Sequence, residues 1–339
     1  GTQGGYTKLD NDQYRLLFTI NGSIKNHSIQ AGLEYEQRVD RSFRPSVVGL
    51  WNAARLLTYT GENRDLSNPI ISGDSVFYNR FVAQPELQSN FDKNLRAKLG
   101  LSNNDYLDVN SYDPSIFSLD LFNAEELLAN GRFVDGANEG YRGYTYDGKK
   151  LKSRPSFNDF FTDSVNRPMG AFQPVYIAGY IQDKFAFKDI IFNLGLRIDR
   201  FDANQKVLAD KYSLYNVKTK SEIGGDKNVL NGGSHPANIG NDFIVYGLSA
   251  TDKNTEITGY RDGDIFYDAR GNVITNLQTI AGDLGLPTPI LADNVVIKNS
   301  KPTISEDSFK DFKPKTSIMP RVSFSFPISD EAAFFANYD

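Results

Sequence analysis

Cysteine is absent from the 339 residues, methionine and histidine occur twice each, and tryptophan once. Without cysteine there is no disulfide framework and no thiol chemistry. The two histidines, His27 and His235, stand too far apart in sequence to offer a zinc-ligand spacing. No run approaches the ~18 apolar residues of a membrane-spanning helix. No basic stretch stands out against the net charge of −5, so no nucleic-acid footprint is expected. Nucleophile elbows, phosphate-cradling glycine loops and metal-ligand spacings are missing too. Mean hydropathy is only −0.44. That value does not argue against a β-barrel in a membrane, whose strands show lipid only their alternate residues while polar loops dominate the mean.

What is present is aromatic and glycine-rich: 24 Phe, 18 Tyr and 28 Gly. Six segments alternate apolar and polar residues with period two, the pattern of a strand with one apolar face. In 12–21, Tyr14, Leu16, Phe18 and Ile20 oppose Gln13, Arg15 and Thr19. In 27–38, Ile29, Ala31, Leu33 and Tyr35 oppose Ser28, Gln30, Gly32, Glu34 and Glu36. In 175–187, Val175, Ile177, Gly179, Ile181 and Phe185 oppose Tyr176, Ala178, Tyr180, Gln182 and Lys184. In 191–199, Phe192, Leu194, Leu196 and Ile198 oppose Asn193, Gly195, Arg197 and Asp199. In 315–326, Ile318, Val322, Phe324 and Phe326 oppose Arg321, Ser323 and Ser325. Pro320 interrupts this fifth segment and predicts a bulge or a strand start. The sixth, 332–339, meets the end of the sequence, and the chain starts at Gly1 without an initiator methionine or signal peptide. We expect an internal fragment.

The connections alternate in length. Short turns sit near Gly22-Ser23, at Lys188-Asp189 and between Pro327 and Glu331, while about 43–173 and 200–314 are long insertions. A transmembrane barrel has short turns on one rim and long loops on the other, which predicts this parity. Alternation alone also fits a soluble antiparallel sandwich. The expected class is therefore all-β, with about six antiparallel strands of a transmembrane barrel and large, partly folded outer loops. Within those loops, Val47, Leu50, Trp51, Ala54 and Leu57 lie at helical spacing. Asn123 to Glu126 reads as an N-cap box with Phe122 and Leu127 as its staple and Gly131 as the stop. Asp147-Gly148 and Gly271-Asn272 read as hairpin turns.

The stretch from Tyr180 to Asp202, YIQDKFAFKDIIFNLGLRIDRFD, resembles a barrel hairpin of the TonB-dependent outer-membrane receptors of Bacteroidetes. The stretch from Met319 to Tyr338, MPRVSFSFPISDEAAFFANY, is similar to another. Ser118 to Leu128 and Gly259 to Asp264 resemble loop segments of the large receptors that carry an N-terminal carboxypeptidase-regulatory-like domain. The resemblance runs through nearly the whole chain. It implies a barrel of about 22 strands closed by a plug, the whole energised by the inner-membrane TonB complex and moving a siderophore, glycan or peptide across the Gram-negative outer membrane. A surface lipoprotein lid is a further partner to consider. The plug, the TonB-contacting box and a final aromatic-ended strand have no counterpart here. Surface binding or adhesion, with the barrel as anchor, is the alternative.

These readings nominate residues. Leu16, Phe18, Leu33, Phe192, Leu194, Leu196, Ile198 and Phe324 are expected to face lipid, with Phe185 and Phe187 in an aromatic girdle. Arg15, Glu34, Glu36, Arg197, Asp199 and Arg321 are expected to face a lumen. Trp51, Tyr141, Tyr144, Tyr146, Tyr260, Phe266 and Tyr267 are the loop aromatics that would capture a ligand. Asp105, Asp108 and Asp113 offer hard oxygens for calcium, without the spacing of an EF-hand. Asp262 and Asp264 are read as turn formers, not as a catalytic pair, and no enzymatic activity or cofactor is expected.

Overall fold

The computed structural model describes residues 6–59, 62–82, 85–129, 140–223, 235–252, 255–298, 300–329 and 332–338. The alternating segments form strands: β1 (Lys8–Ile24), β2 (His27–Phe43), β3 (Val175–Phe187), β4 (Ile190–Asp202), β5 (Lys315–Ser329) and β6 (Ala332–Tyr338). Each pairs antiparallel with the next in chain order, and a two-residue strand, Tyr141–Arg142, adds to the far end of β2. β1 and β6 are the two edges, and no strand pair among the described residues closes the sheet.

The register places the connections as expected. At one rim Ile24 pairs with His27, Phe187 with Ile190, and Ser329 with Ala332, so all three short turns lie together. At the other rim lie Lys8 with Phe43, Val175 with Asp202, and Lys315 with Phe201. Both long insertions leave and rejoin the sheet there. The first two turns hold Lys25 and Lys188 at φ 55, a left-handed backbone that two-residue hairpins demand of their central positions.

Two expectations need correction. Pro320 causes no bulge: it sits in continuous register opposite Leu196, and the irregularity of β5 lies between Pro327 and Ser329. β6 pairs with β5 only as far as Val322, so a residue without an amide proton at position 320 loses no bond to that neighbour. Strands β1 and β2 also run beyond the apolar alternation. Arg41 Nη1 lies 2.8 Å from Asp12 Oδ2 and 3.5 Å from Asp10 Oδ1, so charge pairs carry the ladder where greasy residues stop.

By contact density the chain divides into two compact units, Gly1–Gln205 with Phe312–Asp339, and Lys206–Asp311. In the first unit, the insertion after β2 builds its own core. Helix α1 (Val47–Tyr59) falls where the helical spacing predicts it, and α2 (Asn90–Leu99) and α3 (Ala124–Ala129) join it. Phe43, Phe91, Leu95, Val109, Phe122, Leu127 and Tyr141 pack together there. The N-cap box forms as read: Asn123 Oδ1 accepts from the Glu126 amide at 2.8 Å, and Glu126 Oε2 from the Asn123 amide at 3.2 Å. Gly131 lies outside the described residues. Tyr144 bridges to Lys150 across a turn in which Gly148 adopts φ 84.

The second unit holds a four-stranded antiparallel sheet ordered Val273–Ile274, Ile265–Asp268, Ile257–Asp262 and Ile244–Gly247. Tyr267 pairs with Val273 around a second such turn, at Gly271 (φ 84). Its core gathers Ile239, Val245, Ile257, Tyr260 and Ile290. The cores thus belong to the insertions. Among the described residues of the six strands, the only buried apolar side chains are Val39, Phe43 and Ala178.

Candidate functional site

Directly paired residues of an antiparallel sheet point to the same side, so the register assigns every strand residue to a face. Leu16 pairs with Tyr35 and Phe18 with Leu33. Leu33 pairs with Gly179, Gly179 with Ile198 and Ile198 with Ile318. Leu194 pairs with Val322, Leu196 with Pro320 and Phe192 with Phe324. The eight residues nominated as lipid-facing therefore share one continuous face. It is left bare: Leu16 is 70% exposed, Leu33 62%, Leu194 41% and Ile318 66%.

Near the short-turn rim the same face carries a row of rings. His27 stacks on Phe185 at 5.0 Å, Phe185 on Phe192 at 5.3 Å, and Phe192 lies 6.4 Å from Phe324. Phe334 continues the row 6.0 Å from Phe324. Phe187, expected beside them, is exposed and has Lys188 Nζ 5.8 Å from its ring centre.

The opposite face is where the charges meet. Arg15 Nη2 donates to Glu34 Oε1 at 2.5 Å, and Arg197 Nη2 lies 3.4 Å from Glu34 Oε2, so one carboxylate joins guanidinium groups from β1 and β4. Arg197 Nε is 2.8 Å from Asp199 Oδ1. Tyr176 accepts from Arg197 Nη2 at 2.8 Å and donates to Asp199 Oδ2 at 2.7 Å. Glu36 accepts from Arg38 Nε at 2.9 Å. Arg321 belongs to this face through the pairing of its position with Gly195, and stands exposed. Tyr180 lies over Gly32, where an added Cβ would meet its Cε1 at 2.4 Å, so only glycine leaves room for the ring. The tyrosines were visible as the polar flank of β3, but nothing in the sequence ranked them as site residues. Their role depends on which strand lies next door.

Coverage differs within the charged face, where Arg15 and Arg38 stay 55% and 56% exposed. The side chains of Glu34, Arg197 and Asp199 are 13%, 25% and 22% exposed, less than the leucines and isoleucines behind them. Leaving a large apolar side chain in water forgoes about 1.5–3 kcal/mol of burial. A whole face of them forgoes tens of kcal/mol, more than the net stability of an ordinary domain.

The loop aromatics fare differently from expectation. Tyr141 and Tyr260 are wholly buried, and Tyr144 and Phe266 nearly so. Tyr141 donates to the Arg167 carbonyl at 2.7 Å, Tyr144 packs 6.1 Å from Phe43, Tyr260 OH bonds His235 Nδ1 at 2.8 Å, and Phe266 meets Tyr212 edge-on at 5.3 Å. Trp51 donates to Asn110 Oδ1 at 3.1 Å and sets its ring against Phe117 at 4.9 Å. Tyr146 joins the first core and Tyr267 the second, tilted on Phe243 at 5.4 Å. Rings of this size contribute most when their area leaves water, and the insertions pack them into their own cores, with Trp51, Tyr146 and Tyr267 only partly buried. Burial also pushes the Tyr260 hydroxyl up to about 12.

The three aspartates nominated for calcium each accept from a nearby backbone amide. Asp105 Oδ2 accepts from the Ser102 amide at 2.6 Å, Asp108 Oδ1 from the Asn110 amide at 3.0 Å, and Asp113 Oδ1 from the Ser115 amide at 2.8 Å. Each carboxylate serves its own turn. Among the described residues no three His, Asp or Glu side chains are grouped to hold a metal ion. Asp264 is taken up by Lys211 and by the Tyr212 hydroxyl at 2.8 Å. No family model, curated protein or solved structure matches the chain.

Proposed function

We propose that this chain is part of the wall of an outer-membrane β-barrel of the TonB-dependent receptor class, which moves a solute across the Gram-negative outer membrane. One observation carries the reading: a sheet whose apolar face is bare while Glu34, Arg197 and Asp199 on its other face are covered and knitted into ion pairs. Lipid is the medium in which that arrangement gains energy, because acyl chains cover the apolar side and the charges keep an aqueous lumen. The common rim of the short turns supports it, as does the resemblance of the two hairpins. Six strands are too few for closure, which needs at least about eight, so the remaining wall comes from other strands. In this reading the insertions face the cell exterior, and coupling to the inner-membrane TonB complex passes through a plug outside this chain.

The experiment is to insert the full-length protein that carries this chain into vesicles and place nitroxide labels at Leu194 and Ser323. Lipid-soluble oxygen should broaden the first and water-soluble nickel chelate the second. Uptake by cells with and without TonB then tests transport. Equal water access at both labels would end the membrane reading, and TonB-independent uptake would end the transport reading alone.

A second reading has its own support. Apart from Phe43 of β2, the buried clusters among the described residues lie in the insertions, as they would in a surface-binding or adhesion protein that uses the barrel only as an anchor. A protein that binds its ligand with unchanged affinity but moves none of it would favour this alternative.

A further inference from the structure

A hydrogen-bonded carboxylate and imidazole sit on the apolar face. Asp183 occupies that face by register, between Ile29 of β2 and Leu194 of β4. Its Oδ2 lies 2.7 Å from His27 Nδ1, and the two side chains are 30% and 43% exposed. Its other oxygen is closed off inside the fold without a hydrogen-bond partner, so a ligand reaches the carboxylate through the exposed part of the side chain. The carboxylate charge is therefore incompletely answered within the fold. A charged group beside lipid costs about 2–4 kcal/mol at mid-membrane and much less near the headgroups, so such a residue is kept for a reason and near an interface. Its depth agrees, since His27 belongs to the ring row beside the short turns.

The rim next to this pair is charge-balanced. The two neighbouring turns present Lys25 and Lys188, each at φ 55, together with Asp189. They are tied to each other, because Asn26 Nδ2 donates to the Ala186 carbonyl at 2.7 Å. Two ammonium groups at the turn tips and a carboxylate one step deeper match a zwitterion. A purely anionic head would meet Asp183 and Asp189 as repulsion, and a cation alone would meet the lysines in the same way.

We propose that the short-turn rim binds the zwitterionic head of an ethanolamine phospholipid, its phosphate facing Lys25 and Lys188 and its ammonium facing Asp183. The site rests on the membrane reading above. A primary ammonium donates hydrogen bonds that a choline head lacks, so the carboxylate favours ethanolamine over choline. The lysines hold the phosphate common to both. His27 orients Asp183 and takes no direct part in contacting the ligand.

The test uses the full-length protein in mixed micelles, with native mass spectrometry counting retained lipids. Phosphatidylethanolamine, phosphatidylcholine and phosphatidylglycerol are each supplied in turn. The intact protein should retain phosphatidylethanolamine preferentially. Asp183→Asn should erase the preference over phosphatidylcholine by on the order of tenfold, the effect of one lost charge-assisted bond. Lys25→Asn combined with Lys188→Asn, a residue that accepts the same turn backbone, should weaken retention of all three lipids. That double variant leaves the strands untouched, so it decides the matter if Asp183→Asn does not fold. Equal retention of ethanolamine and choline lipids by the intact protein, or an unchanged pattern in either variant, overturns the site. A protein that inserts into vesicles without headgroup preference overturns the site alone, whereas failure to insert at all overturns the membrane reading with it.

Discussion

Arg197 reaches Glu34 across 163 residues of sequence, Nη2 to Oε2 at 3.4 Å, and Glu34 holds Arg15 with its other oxygen. A half-buried carboxylate between two guanidinium groups joins strands that neither insertion connects. Glu34→Gln should lower the stability of the vesicle-inserted protein by about 1–3 kcal/mol, the cost of a broken charge-assisted bond, read from urea unfolding. A change below about 0.5 kcal/mol would mean the charges are individually solvated, as in an ordinary surface pair.

The two faces make opposite predictions for the same substitution. Leu194→Arg, on the apolar face, should cost about 2–4 kcal/mol in a bilayer. Ser323→Arg, on the charged face one strand away, should cost little. In a water-exposed sheet both changes would fall within about 0.5 kcal/mol of zero. Comparing the pair by unfolding from lipid vesicles separates the cases without needing a ligand.

Gly32 and Tyr180 form a third test. A Cβ at position 32 would stand 2.4 Å from the ring carbon Cε1. Gly32→Ala should destabilise by about 1–3 kcal/mol as the ring is forced aside. Adding Tyr180→Ala should return most of that loss, a coupling that a double-mutant cycle reads directly. Purely additive losses would show that the ring does not occupy that space.

Tyr260 gives the second unit a pH signature. Its hydroxyl ionises near 10.0 when free and at about 12 in the folded chain, because burial penalises the phenolate. The folded value is raised, so its contribution is fully present below pH 10 and is lost as the pH climbs through about 12. Phenolate absorbance of the intact protein minus that of Tyr260→Phe should show one tyrosine titrating late. A difference spectrum with its midpoint at the free value would show the ring to be solvated.

Much of the strand layout could be read without coordinates because its cause is local. Alternation in 175–187 and 191–199 records a lipid- or core-facing side at every second residue, and β3 and β4 form there. The Asn123 cap and the turns at Gly148 and Gly271 were equally legible, since each is a bond or a dihedral within a few residues. The extensions of β1 and β2 were not, because Asp10, Asp12 and Arg41 continue the ladder with charge pairs that carry no apolar period.

The sequence by itself determined which residues share a strand face, since side-chain direction along a strand is set by the backbone's own repeat. It also determined that short and long connections alternate. Only the tertiary structure decided which polar side chains meet, whether Glu34 with Arg197 or His27 with Asp183. It alone turned Tyr141 and Tyr260 inward as cores. Pairing and burial depend on strands and helices brought together from distant parts of the chain, and no spacing within a segment encodes what will lie beside it.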